Sequence, residues 1–283
     1  MSVERLAEKL AVAKAESRLP KAVIPVHFGG QPCDMAGIRQ LAERYGFRII
    51  EDASHALGAR YQGDPVGSAR LSDIAVLSFH PVKIITTGEG GMALANDAHL
   101  AASMRRLRSH GTTRNAAEMT QAPDGPWYYE QLELGFNYRM TDVQAALGTS
   151  QMKRLDAFVA RRQAIARRYD ELLAAMPLSP QAQRPECFSS MHLYVVRLGL
   201  DRIGPSRREV FEALRANGIG VNVHYIPVYH QPFYRRMGFS PGYCPEAEKY
   251  YAEALSLPMF PALADAEQDE VVGALRAAIE PHR

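Results

Sequence analysis

Phe47-Arg48-Ile49-Ile50-Glu51-Asp52-Ala53-Ser54-His55 is the stretch that decides the architecture. A short isoleucine-rich run ends abruptly in a polar cluster, the pattern of a buried strand whose carboxyl end opens into a loop. Ahead of it, residues 34–45 space Met35, Ile38, Leu41 and Ala42 as a helix does, and Gly46 stops that helix. Residues 22–27 form another apolar run with Val and Ile. Behind the opening stretch, residues 74–79 read as a third strand ending at Ser78-Phe79-His80-Pro81-Val82-Lys83. Residues 91–95 read as a fourth, followed by a helix over 98–108. Strands alternating with helices predict an α/β domain with a mainly parallel sheet.

The remainder extends this reading. Thr141 is a candidate N-cap for a long helix running to Met176, with apolar positions at Val143, Ala146, Leu147, Leu155, Phe158, Tyr169 and Leu172. Pro177, Pro180 and Pro185 then mark the expected boundary between a large domain (1–176, including a connecting helix over 141–176) and a small C-terminal α/β domain (177–283). In the latter, strands are expected over 192–198 and 220–226, and helices over 206–217, 246–255 and 265–279. Asp265 is a candidate N-cap for the last.

Composition narrows the function classes. Of 283 residues, 47% are hydrophobic and 23% charged, which excludes a disordered or fibrous chain. With 33 Lys and Arg against 31 Asp and Glu, the net charge of +2 gives no whole-chain field for nucleic acid or anionic membrane. The clusters Arg105, Arg106, Arg108 and Arg161, Arg162, Arg167, Arg168 are expected as solvated helix faces. Cys33, Cys187 and Cys244 form no C-x-x-C pair, so a reducing compartment and no structural zinc are expected. His27, His80, His110, His224 and His230 show no metal-ligand spacing beyond a loose His224/His230 pair. No apolar run reaches the roughly 20 residues of a membrane span, and residues 3–19 read as an amphipathic helix rather than a signal peptide. The expected location is the cytoplasm.

In open α/β sheets, ligands gather at the carboxyl ends of strands. Asp52 with His55, Ser78 with His80, and Lys83 all fall at or just past such ends. On strand geometry alone, a structural ion pair and a functional site both remain open. Gly88-Glu89-Gly90-Gly91-Met92-Ala93 contains the letters of a dinucleotide fingerprint, but it precedes a strand and opens no helix, so that context fails. One chemistry does fit an acid on one strand end and a lysine beyond another. Pyridoxal phosphate needs an amine to hold it, a carboxylate facing its pyridine nitrogen and donors for its phosphate.

Glu51 to Gly58, Ser78 to Lys83, Thr87-Gly88-Glu89-Gly90-Gly91 and Gly135-Phe136-Asn137-Tyr138-Arg139-Met140 resemble the DegT/DnrJ/EryC1/StrS family. These are nucleotide-sugar aminotransferases of the aspartate-aminotransferase fold, fold-type I. The likeness runs in order over nearly the whole chain. Ser78 to Gly91, Gly125 to Glu130 and His224 to Val228 look like its pseudaminic acid branch. The resemblance implies that Lys83 carries the cofactor and shuttles the proton, that Asp52 pairs with the pyridinium and that His55 lies near the ring oxygen. It implies Ser78 as a phosphate ligand and Asn137 as a ligand of the partner subunit's phosphate, hence a homodimer. His224 and Tyr225 would contribute to the sugar pocket, although a core histidine is an open alternative. Lys83 stands where a dehydratase branch has histidine, which points to transamination. Substrates are then a UDP-linked 4-keto-6-deoxy-hexose and, as amino donor, glutamate.

Family members carry a segment before the stretch matching Val23 to His27, with a Gly-Thr turn for the phosphate. With only the helix over 3–19 ahead of that strand, the large domain is expected to be short at its start. Two readings therefore stand: an active sugar aminotransferase, whether of this or another sugar specificity, and a truncated, non-catalytic member.

Overall fold

A computed structural model describes residues 1–280. The chain divides into two compact units, Met1–Phe28 with Pro32–Leu155, and Gly29–Gln31 with the chain from Asp156 onward.

The first unit begins with α1 (Val3–Ala15), where the Ser2 hydroxyl accepts the Arg5 N–H. Strand β1 (Ala22–Val23) follows. Helix α2 (Met35–Tyr45) starts at Asp34, whose side chain accepts the Gly37 N–H, and stops at Gly46 in the left-handed region, φ 79°. Next come β2 (Arg48–Asp52), the small hairpin β3 (Arg60–Tyr61) and β4 (Asp64–Pro65), then β5 (Ile74–Ser78) and β6 (Gly91–Leu94). The central sheet runs β1-β2-β5-β6; its first two pairings are parallel and the last is antiparallel. The expected strand over 22–27 is cut to two residues because Pro25 has no N–H to give the ladder. Its carbonyl still accepts the Asp52 N–H at 2.9 Å, and Val26 bridges Asp52 singly.

Register decides which side chains share a face. Asp52 lies opposite Val76, and Glu51 opposite Ala75. Val23, Ile49, Glu51, Ala75 and Leu77 therefore fill one side, all buried. The other side carries Asp52, Val76 and Ser78 together with Ile24 and Val26, which are 53% and 46% exposed. Beyond the sheet lie α3 (Ala98–Leu107), the ribbon β7 (Thr112–Thr113) with β8 (Glu130–Gln131), and α4 (Asp142–Met152). A capping box of Thr141 and Gln144 starts α4.

The helix expected over 141–176 is in fact two. It breaks after Met152 and resumes as α5 (Leu155–Leu173), which carries the chain into the second unit. Near the break the Thr149 hydroxyl donates to the Ala145 carbonyl at 2.8 Å, a back-bond that bends helices.

The second unit continues with β9 (Leu178–Pro180), β10 (Cys187–Phe188), β11 (Tyr194–Leu198), α6 (Arg207–Ala216), α7 (Pro232–Arg236), α8 (Pro245–Glu253), β12 (Ala254–Leu257) and α9 (Asp265–Ile279). Its antiparallel sheet runs β12-β11-β9. Tyr169, Val196, Leu198, Val210, Leu214, Leu255 and Leu275 form its core, each at most 2% exposed. The strand expected over 220–226 is reduced to one bridge, Asn222 with Ser256, and the true neighbour of β11 is β12, whose residues the helical spacing had absorbed. Arg162 corrects the expectation of a solvated face. It is 4% exposed, and its Nη1 donates to the carbonyls of Met191, His192 and Met259. Burial lowers its pKa to about 10.

Candidate active site

Asp52 and Ser78 end neighbouring strands on the same face of the sheet. The Asp52 carboxylate is half-buried and accepts the Ser54 N–H at 3.1 Å, which holds it at the mouth of the loop. Ser78 is also half-buried, and its Oγ takes the His80 N–H at 3.5 Å. Lys83 follows on the turn between β5 and β6, its N–H bonded to the His80 carbonyl at 2.9 Å. Burial pushes the Lys83 amine below the usual lysine range, and the negative charge of Asp52 pulls it back up. The strand ends thus bring an amine, a carboxylate and a hydroxyl to one place.

The turn is pinned by groups that the sequence did not mark. The Thr87 N–H and the Thr86 hydroxyl both donate to the Phe79 carbonyl, at 3.0 Å each. Gln144 on α4 donates to the Glu89 carbonyl at 3.0 Å. Gly148 lets α4 lie close, since a Cβ there would stand 2.7 Å from Thr87 Cγ2. The signal available in the sequence was the glycine-rich Gly88-Glu89-Gly90-Gly91, read there as a failed nucleotide fingerprint and as a family-like motif but not as a turn that α4 supports.

A second buried cluster occupies the opposite face. His27, fully buried, places Nε2 2.8 Å from a Glu51 carboxylate oxygen, and Ser72 donates to the other oxygen. The Cys33 N–H points at His27 Nδ1, 3.2 Å away. Burial pushes the His27 pKa down, but hydrogen bonds to Cys33 and Glu51 outweigh it and raise the value to about 9. Strand alternation carried the clue, because Glu51 next to Asp52 must face the core and so requires partners.

The remaining sequence-derived residues are placed as follows. His55 lies in the loop after β2, its ring 6.0 Å from that of Phe28 and tilted by 48°. Asn137 is exposed and bridges Ser109 at the root of the β7–β8 ribbon. His224 and Tyr225 belong to the second unit. His224 Nδ1 lies 2.7 Å from Ser256 Oγ, on the wall of a cleft of about 430 Å³, and Tyr225 is 53% exposed. Among the described residues no group of three His, Cys, Asp or Glu could hold a metal ion, and no helix is long and apolar enough to cross a membrane.

Residues 2–276 match the DegT/DnrJ/EryC1/StrS aminotransferase family, and the chain belongs to it. It is 39% identical over 263 residues to the spore coat polysaccharide biosynthesis protein SpsC of Bacillus subtilis, covering 92% of this chain and 67% of that protein. PseC of Helicobacter pylori, an aminotransferase involved in the biosynthesis of pseudaminic acid, superposes with a TM-score of 0.85 at 28% identity, over 96% of this chain and 70% of that one. The PLP form of the Streptococcus pneumoniae sugar aminotransferase Spr1654 gives 0.81 at 29%, over 93% and 70%. The fold is that α/β aminotransferase fold, and the family's enzymes are pyridoxal-phosphate-dependent sugar aminotransferases.

Proposed function

We propose that this chain transfers an amino group from glutamate to a UDP-linked 4-keto-6-deoxy-hexose, with pyridoxal phosphate held at the ends of β2 and β5. The observation that carries the reading is the Lys83 amine, half-buried and depressed in pKa by that burial, with the Asp52 charge acting on it. An amine that gives up its proton readily suits covalent capture of a carbonyl cofactor. Once bound, the cofactor would supply an electron sink for carbanion character at the substrate carbon. Asp52 would hold the ring nitrogen in its protonated form, and Ser78 would donate to the phosphate. His55, in the loop beyond Asp52, would stand near the cofactor's ring oxygen. Lys83 would hold the cofactor through its Nζ and would be the acid–base group that moves the proton at the substrate carbon.

A homodimer fits this assignment. Leu134 is 89% exposed, Val143 81%, Tyr138 72% and Phe136 55%, an apolar surface beyond what an isolated unit leaves to water. Asn137 stands among them and would reach a second copy's cofactor phosphate. His224 and Tyr225 would contribute to sugar recognition. The names of SpsC and PseC favour a sugar as acceptor and a place in polysaccharide or pseudaminic acid synthesis. The three free cysteines suit the reducing cytoplasm.

Pyridoxal phosphate added to the purified chain is expected to give a visible absorption band that borohydride removes, with the cofactor's mass fixed on Lys83. Absence of label on Lys83 would refute the reading. A direct assay of the pseudaminic 4-keto intermediate against its stereoisomer then defines the sugar.

A further inference from the structure

Lys83 is the last residue of a β-turn whose first residue is His80. The His80 carbonyl accepts the Lys83 N–H at 2.9 Å, and Pro81 takes the second position, where its fixed φ suits such a turn. The first position favours Asn, Asp or Ser, because a short side-chain acceptor there takes the N–H of the third residue. His80 does the same with its ring: the Val82 N–H donates to Nδ1 at 3.4 Å. Its backbone N–H meanwhile points at Ser78 Oγ, 3.5 Å away. One residue thus ties the proposed phosphate ligand and the lysine to the same turn.

Across the hairpin, His80 Nε2 faces a Glu89 carboxylate oxygen at 3.7 Å. Glu89 is itself held, since its carbonyl accepts the Thr87 hydroxyl at 2.7 Å and the Gln144 amide at 3.0 Å. The His80 and Glu89 side chains are 48% and 72% exposed, so their contact contributes little to stability. What it sets is a tautomer. An Nδ1 that accepts must be bare, which leaves the proton of the neutral ring on Nε2, towards Glu89.

We propose that His80 is a positioning residue for Lys83: its ring acceptor closes the turn that presents the lysine amine, and Glu89 holds the ring's proton on the other nitrogen. The proposal rests on the transaminase reading above, in which Lys83 takes the cofactor. With the turn open, the lysine backbone would sample many geometries, and capture of the cofactor would slow even though the fold is intact.

Asparagine and glutamine separate the two ring nitrogens. His80→Asn keeps an acceptor within reach of the Val82 N–H and gives up the Glu89 contact. His80→Gln keeps a donor near Glu89 but sets its oxygen too far out to close the turn. His80→Ala removes both groups and replaces the glutamine variant if that one does not fold. The position is exposed, so all three should melt with the parent. Two quantities are read: amide exchange at Val82 and Lys83 in the cofactor-free protein by NMR, and the rate at which added pyridoxal phosphate develops its absorption band. In His80→Gln and His80→Ala the two amides should exchange about 3–10-fold faster, the factor one neutral hydrogen bond supplies. Capture in both should be about 10-fold slower. His80→Asn should match the parent in both readings, and Glu89→Gln, which keeps an oxygen for Nε2, should change neither by more than about twofold. Parent-like capture in His80→Gln and His80→Ala overturns the proposal, and so does an asparagine variant as slow as the glutamine one at equal melting temperature. A parent that takes no cofactor refutes the transaminase reading instead, and Val82 exchange that is equal in all variants overturns the turn-closing role by itself.

Discussion

Glu51 and Asp52 are consecutive carboxylates on one strand, yet they live in different chemistry. Glu51 points into the core, 6% exposed, gripped by His27 and Ser72. Asp52 points to the open face, held by one backbone N–H and close enough to Lys83 to act on its charge. Pleating alone separates them. The lesson is that residue type does not separate a core acid from one at the candidate site here; the face does.

The sharpest way to break the comparison is to neutralise each acid in turn. Asp52→Asn should lower kcat/KM by about 10²–10⁴-fold while leaving the melting temperature nearly unchanged. It should also lower the pH at which Lys83 takes up the cofactor, because the charge that raises the lysine pKa is gone. Glu51→Ala should do the reverse. Leaving His27 buried without its partner costs about 3–5 kcal/mol in chemical denaturation, with activity per folded molecule retained. Equal effects of both substitutions on stability would dissolve the distinction.

A weaker effect follows from pH. The His27 pKa is raised from 6.5 to about 9, so its contribution is complete below pH 6.5 and is lost as pH rises through 9. Stability measured by urea unfolding should fall by up to about 3 kcal/mol across that window, and His27→Gln should flatten the slope. A flat profile in the parent would show the ring neutral throughout and refute a charged His27–Glu51 pair. The smallest expected effect tests the support of the open face. Gly148→Ala gains about 1 kcal/mol of helix propensity but drives a Cβ against Thr87, so net stability should drop slightly. In a Thr87→Ser background the clash is removed and the same substitution should stabilise.

Elements with clean punctuation were legible in the sequence. Helix α2 runs between Asp34 and Gly46, and α9 keeps its bounds Asp265–Ile279, although its N-cap is Ala264 and the expected cap Asp265 is instead its first helical residue, an acid in the first turn. Asp52, Ser78 and Lys83 were marked as candidates because strand ends collect ligands and because the motifs around them resemble a family, and they lie at the ends of β2 and β5 and on the turn that follows. What escaped depends on long-range partners. β12 looked like the tail of a helix until β11 claimed it, and Arg162 looked solvated until three carbonyls from distant loops closed on it. The ribbon's strands, two residues each, are too short for any period to register. His27 and Glu51 lie 24 positions apart, so nothing local announces their pairing.

The antiparallel return of β6 beside β5 has a consequence for how the centre assembles during folding. Lys83 sits on a hairpin closed between Ser78 and Gly91, a contact of short sequence separation, whereas Asp52 reaches the same place through a parallel crossover pairing. Loop closure makes the first the cheaper and faster event. The lysine turn should therefore form while the carboxylate is still absent, and the site becomes complete only when β2 docks.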